Sequence, residues 1–203
     1  MVSKAPVKMA KRMRGRNREK IVESGFRLFY EKGFEVTGIQ EIAMASGVPK
    51  GSFYNYFESK TEFVSVVLRL YAERQSEYLQ QNLIEGDGSP LARLKSLFET
   101  WKVQFFEEES LGCLAGNLGQ ELANNGGAVQ ATLAGVINEL QSFYVSAIRA
   151  IQEAGEISGD LDAESTGAFL YDGWQGAMIR AKATGSSRPF EQFIDLVFGQ
   201  VLR

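Results

Sequence analysis

Cys113 is the only thiol in a chain of 203 residues that contains no histidine, and these two facts bound its chemistry. A thiol without a second cysteine can form neither an intrachain disulfide nor the resolving pair of a reductase or peroxidase cycle. Without imidazole the commonest general base is gone, together with the Ser-His and Cys-His dyads and nearly every zinc or iron site. The run Glu107-Glu108-Glu109 has no histidine or second acidic cluster to complete a metal site and reads as a solvated helix end. An enzyme is therefore not expected, and neither a metal nor a cofactor. What remains is one sulfur and a marked charge asymmetry. Residues 1–20 carry Lys4, Lys8, Lys11, Arg12, Arg14, Arg16, Arg18 and Lys20 against Glu19 alone, a net +7 that leaves −10 on the rest of a chain whose total is −3. Such a separation reads as a basic arm, residues 1–15, on an acidic body: either a solubilising tail or a contact to a polyanion.

The elements that must position these groups are helical. Apolar residues recur with helical spacing, Gly, Ser, Asn and Asp clusters punctuate them, and no sustained strand alternation occurs, so the fold class is all-α with about nine helices. With 44% apolar residues the chain can bury a core without staples. The spacing predicts a first helix from about Arg16 to Lys32, buried through Ile21, Val22, Phe26, Leu28 and Phe29 and stopped at Gly33. Thr37 with Gln40 three residues on predicts a capping box for a second helix buried through Ile39, Ile42 and Ala43. Ser46-Gly47-Val48 makes a tight turn, Pro49 opens a short third helix ending near Tyr56, and Ser59 caps a fourth through Phe63, Val67 and Leu70. Longer segments follow: Pro90 to about Glu108, about Cys113 to Ala123, about Ala128 to Glu153, Asp162 to Thr184 and Pro189 to Leu202. The last two are apolar enough to need a partner, which predicts a homodimer through a four-helix interface. No apolar run approaches the ~18 residues that span a bilayer, and a cytoplasmic protein with no membrane partner is expected.

Two helices joined by a short turn at Gly47 satisfy the minimal helix-turn-helix geometry. The strings Phe34-Glu35-Val36-Thr37, Ile42-Ala43, Gly47-Val48-Pro49-Lys50-Gly51-Ser52-Phe53-Tyr54-Asn55-Tyr56-Phe57 and Ser59-Lys60 are more specific, and through them the chain resembles the TetR family of repressors over essentially its whole length. The resemblance implies a DNA-binding domain at residues 16–62 and a ligand-sensing and dimerisation domain at residues 63–203. It places Thr37 and Gln40 at the start of the second helix, toward a phosphate and a base edge. Lys50, Gly51, Ser52 and Asn55 would face the major groove, Tyr54 and Tyr56 would give hydroxyls to phosphates, and Lys60 would hold the backbone as a point charge. Phe53 and Phe57 read as core, and Tyr56 reads equally as a lid on that core. Arg14 and Arg16 on the arm would track adjacent phosphates or enter the minor groove.

In the second domain, a helix over residues 111–124 would align Cys113 with Asn117, Gln120 and Asn124, off the face of Leu111, Leu114, Leu118 and Leu122. Tyr171, Trp174, Met178 and Lys182 form one stripe at i, i+3, i+7 and i+11, either plain core or the wall of a ligand pocket. The segments Leu111 to Leu118 and Trp174 to Lys182 resemble a TetR branch that includes N-ethylmaleimide-responsive and acrylate-responsive repressors. That resemblance implies a cysteine and lysine switch at Cys113 and Lys182. An ammonium near a thiol favours the thiolate, the nucleophile toward unsaturated carbonyls, aldehydes and hypochlorous acid.

The expected function is thus a homodimeric one-component repressor that binds a palindromic double-stranded DNA operator. A small-molecule effector would release it, a reactive electrophile or unsaturated acid or aldehyde sensed at Cys113. The alternatives are a repressor or activator answering a reversibly bound ligand, with Lys182, Arg180 or Tyr171 receiving a carboxylate, and a protein-interaction module that binds no DNA.

Overall fold

Helix formers dominate between the glycine-rich loops, and the backbone follows them. The computed structural model describes residues 5–107, 112–123 and 126–203, with side chains from Gly15 onward. Among these it contains nine α-helices and no strand: α1 Ala5–Lys32, α2 Ile39–Ala45, α3 Lys50–Phe53, α4 Lys60–Leu79, α5 Pro90–Glu107, α6 Leu114–Leu122, α7 Gly127–Glu153, α8 Ala163–Thr184 and α9 Arg188–Leu196. α4 and α9 each run on into a wider turn, Gln80–Ile84 and Val197–Val201. Among the described residues no helix is long and apolar enough to cross a membrane. Two compact units emerge, one of Met1–Tyr71 with Asn117–Leu133 and one of Ala72–Gly116 with Ala134–Arg203.

Four boundaries differ from those expected. α1 already includes Ala5 where the expected start was Arg16, because the alanines, methionines and basic residues between them are good helix formers. Thr37 does not cap α2. The cap position is Gly38, with no side-chain bond, while the fully buried Thr37 hydroxyl turns back to the carbonyl oxygens of Gly33 at 2.7 Å and Leu28 at 3.3 Å. α3 stops at Phe53, and its carbonyl oxygen accepts the N–H of both Tyr56 and Phe57 in the turn that follows. Cys113 precedes α6 instead of lying within it. Ser59 does cap α4: its hydroxyl oxygen accepts the Glu62 N–H at 3.0 Å while the Glu62 carboxylate accepts the Glu58 N–H at 2.5 Å.

The first unit closes on phenylalanines. Phe29, Phe53, Phe57 and Phe63 are essentially unexposed, and Phe63 lies 5.7 Å from Phe29, 5.1 Å from Phe53 and 4.7 Å from Phe57 between ring centres. Phe63 packs straight onto the backbone of α1, since a β-carbon on Gly25 would fall 2.3 Å from its ring. Phe53 and Phe57 are core residues, as read from the sequence.

The second unit is organised around Phe98 on α5, whose ring lies 4.8 Å from Trp174, 5.1 Å from Phe193 and 6.0 Å from Tyr144. α7 and α8 touch backbone to backbone at Gly167, where a β-carbon would come within 2.8 Å of the Val145 main chain. Asp162 caps α8 by accepting the Ser165 N–H at 2.9 Å, and these bonds hold its carboxyl below the usual range.

Candidate nucleic-acid interface and sensing thiol

The phenylalanine core presents α2 and α3 as a rigid pair. Between them Gly47 adopts a left-handed φ of 68°, the Val48 N–H returns to the Ala43 carbonyl at 3.1 Å, and the Ser46 hydroxyl donates to the same carbonyl at 2.9 Å. The side of α3 away from the core leaves Lys50, Gly51, Tyr54 and Asn55 exposed, with Ser52 and Tyr56 half-buried, and Gln40 is exposed on α2. No protein atom lies within 4 Å of a β-carbon built on Gly51, so nothing in the fold requires glycine there. Arg16 is exposed on α1 and lines a shallow groove with Lys20, Ser24 and Ser46. The side chain of Arg14 lies outside the described residues.

Two of the expected phosphate ligands are engaged within the fold. Thr37 turns inward, as described above. Lys60 is half-buried, donating to the Glu35 carbonyl at 3.3 Å with its ammonium 4.2 Å from the centre of the Phe34 ring. Desolvation lowers its pKa, opposed by the charges of Glu35 and Glu121. Glu121, near the end of α6, accepts the Glu35 N–H at 2.7 Å.

In the second unit Cys113 is 8% exposed. Its sulfur accepts the Gly116 N–H at 3.3 Å, so the thiol occupies the cap of α6. The Tyr171 phenol lies beside Cys113, and Tyr144 meets Tyr171 edge-on with ring centres 6.0 Å apart. Burial, and next the neighbouring Cys113, push both phenols well above the ordinary tyrosine range.

Trp174, from the predicted pocket stripe, is core: 2% exposed and packed on Phe98, Phe190 at 4.6 Å and Phe193 at 5.5 Å. Met178 is half-buried and Lys182 is exposed. The structure brings Tyr171 beside Cys113, and Lys182 stands exposed eleven residues further along α8. Asn117 is half-buried and Gln120 exposed, both in the first unit, while Leu111 and Asn124 lie outside the described residues.

Residues 21–67 match the family described as bacterial regulatory proteins, tetR family, and residues 90–197 match the tetracyclin repressor-like, C-terminal domain. The transcriptional regulator AcuR of Cereibacter sphaeroides is 34% identical over 86% of this chain and 80% of its own. The chain belongs to the TetR family. A second relative, the HTH-type transcriptional repressor DhaR of a Mycobacterium species, is 32% identical over 91% of this chain and 92% of its own. The crystal structure of the reduced form of NemR from Escherichia coli superposes with a TM-score of 0.82 at 25% identity, covering 89% of this chain and 95% of that one. These TetR-family relatives are named as transcriptional regulators, not enzymes, and the family binds DNA operators through the helix-turn-helix formed here by α2 and α3.

Sequence reasoning missed Tyr144 and Glu121. Tyr144 sits in an apolar run of α7, where its spacing marks it only as buried, and Glu121 looks like an ordinary surface charge. Their partners, Tyr171 and the Glu35 amide, are supplied by distant segments, and no local signal names them.

Proposed function

We propose that this protein is a homodimeric, one-component repressor, working in the cytoplasm, that binds a palindromic operator and leaves it when a small electrophile modifies Cys113. The observation that carries this reading is the setting of the thiol: buried at the start of α6, bonded to the Gly116 N–H and beside the Tyr171 phenol. Residues 16–62 read DNA, with Lys50, Gly51, Ser52 and Asn55 toward the major groove and Gln40, Tyr54 and Tyr56 at its edge. The basic residues before them, including Arg14 and Arg16, add phosphate contacts. Residues 63–203 sense and dimerise; α8 leaves Phe169 and Ile179 exposed and α9 leaves Leu196 exposed, apolar surface suited to a second copy.

Toward an α,β-unsaturated carbonyl the step is an addition. The sulfur of Cys113 bonds to the β-carbon, the carbon–carbon π pair moves into an enolate, and the thiol proton ends on the α-carbon. The Tyr171 O–H, held protonated, stabilises the enolate oxygen until that proton arrives. The adduct then occupies space beside α6 that the resting structure fills with packed side chains, which shifts the protein toward a form with lower DNA affinity.

The test is nuclease protection of the protein's own upstream region, before and after stoichiometric N-ethylmaleimide. A two-fold symmetric protected site that disappears on treatment supports the reading. Absence of any protected site overturns it.

A further inference from the structure

The short helix α2 turns its two exposed flanks in different directions. Ile42 and Ala43 are buried. On one flank Glu41 pairs with Lys32 of α1, and Ala45 lines the groove that Arg16 and Lys20 of α1 also line. Gln40 and Met44, four residues apart and so neighbours on the helix surface, occupy the other flank, away from α1. Met44 is 73% exposed. Its main chain is tied into the turn, where its carbonyl accepts the Gly47 N–H at 3.1 Å, but most of its side chain is left in solvent. Of the methionines whose side chains are described, the other, Met178, is half-buried. A thioether thus stands in water beside Gln40, on the helix pair through which the family binds its operators.

We propose that Met44 is an oxidation site at which a hypohalous acid lowers DNA affinity directly. This goes beyond sensing at Cys113 and rests only on operator binding through α2 and α3. The chemistry separates the two sulfurs. A thioether has no proton to lose, so its nucleophilicity does not change with pH, and it forms no stable adduct with an unsaturated carbonyl, whereas a thiol does so as its thiolate. With hypochlorous acid the thioether sulfur takes up chlorine and hydroxide leaves. Water then adds its oxygen to the sulfur, chloride departs, and of the two protons released one neutralises the hydroxide. The sulfur is oxidised by two electrons to the sulfoxide and the chlorine is reduced to chloride. Access favours Met44 over the half-buried Met178. The product replaces a flexible apolar chain with a polar one whose oxygen carries partial negative charge, an unfavourable neighbour for the phosphates and base-edge acceptors of an operator held beside Gln40.

The experiment uses the full chain carrying Cys113→Ser, so that no thiol is present, and the same chain with Met44→Leu added, which keeps the apolar bulk without the sulfur. Each is treated with stoichiometric hypochlorous acid. Peptide mass locates the added oxygen, and fluorescence anisotropy on a labelled fragment of the upstream region reads binding. The two proteins bind alike before treatment. Afterwards the chain that retains Met44 binds about fivefold or more weakly, in proportion to the sulfoxide on its Met44 peptide and with unchanged circular dichroism, while the Met44→Leu chain keeps its affinity. Methionine sulfoxide reductase restores the loss. Unchanged affinity with Met44 oxidised, or equal losses in the two proteins, overturns the proposal, as does oxidation that settles on Met178 first. Because neither protein has a thiol, these results stand apart from sensing at Cys113. Failure of both untreated proteins to bind any DNA overturns the repressor reading, and this site with it.

Discussion

The sulfur of Cys113 accepts the backbone N–H of Gly116 at 3.3 Å, three residues ahead, in the position that serine or aspartate usually takes at a helix start. The thiol therefore does structural work in the resting protein. Modifying it removes a cap as well as adding bulk. Replacing Cys113 by serine keeps an acceptor at the same place and should preserve the fold and DNA binding, with melting within a few degrees of the parent and the response to electrophiles lost.

Gly51 separates folding from recognition. A β-carbon there meets no protein atom, and alanine is the better helix former by roughly 1 kcal/mol. Gly51→Ala is expected to melt at or above the parent temperature while binding operator DNA about tenfold or more weakly, since the added methyl would crowd the base edges on the face proposed to enter the major groove. Fluorescence anisotropy beside a melting curve tests both halves.

Gly25 gives the opposite result. Its absent side chain is what lets Phe63 reach the α1 backbone, and Gly25→Ala forces a clash at 2.3 Å. Destabilisation of about 1–3 kcal/mol in urea unfolding is expected, partly recovered by Phe63→Leu in the same chain. An unperturbed single variant would refute the packing described.

The basic end of α1 should be read out by salt. Changing Arg16 and Lys20 together to glutamine is expected to weaken binding to every DNA sequence and to flatten the plot of log affinity against log salt by up to about 0.9 for each phosphate contact removed. An unchanged slope would take these side chains off the DNA.

Tyr144 and Tyr171 carry a pH signature. Their folded pKa values lie above those of the unfolded chain, so the stability they contribute is whole below the ordinary tyrosine pKa of about 10 and is lost as pH rises beyond it. Urea midpoints should fall between about pH 9 and 11 in the parent and fall less in the Tyr144→Phe, Tyr171→Phe double variant.

What the sequence made legible was local. The turn at Gly47, the cap at Ser59, the buried Phe53 and Phe57 and most helix ends follow from residues within a turn or two of one another. Thr37 misleads because a hydroxyl beside a helix start suits a cap, yet a deeper pair of acceptors, the carbonyls of Leu28 and Gly33, draws it inward. The stripe on α8 left plain core and pocket wall open, and aromatic rings pack around Trp174, because periodicity marks burial without saying whether rings or a ligand fill the space. Tyr171 beside the thiol is a neighbour that neither the segment around Cys113 nor the segment around Tyr171 names alone.

The most direct test of the central claim is DNA binding by the parent and Cys113→Ser, each titrated with an unsaturated aldehyde on a fragment of the upstream region. The account predicts equal binding before treatment and, after it, release of the parent alone, in step with modification of the single cysteine by mass. Release of both proteins, or of neither, would contradict it.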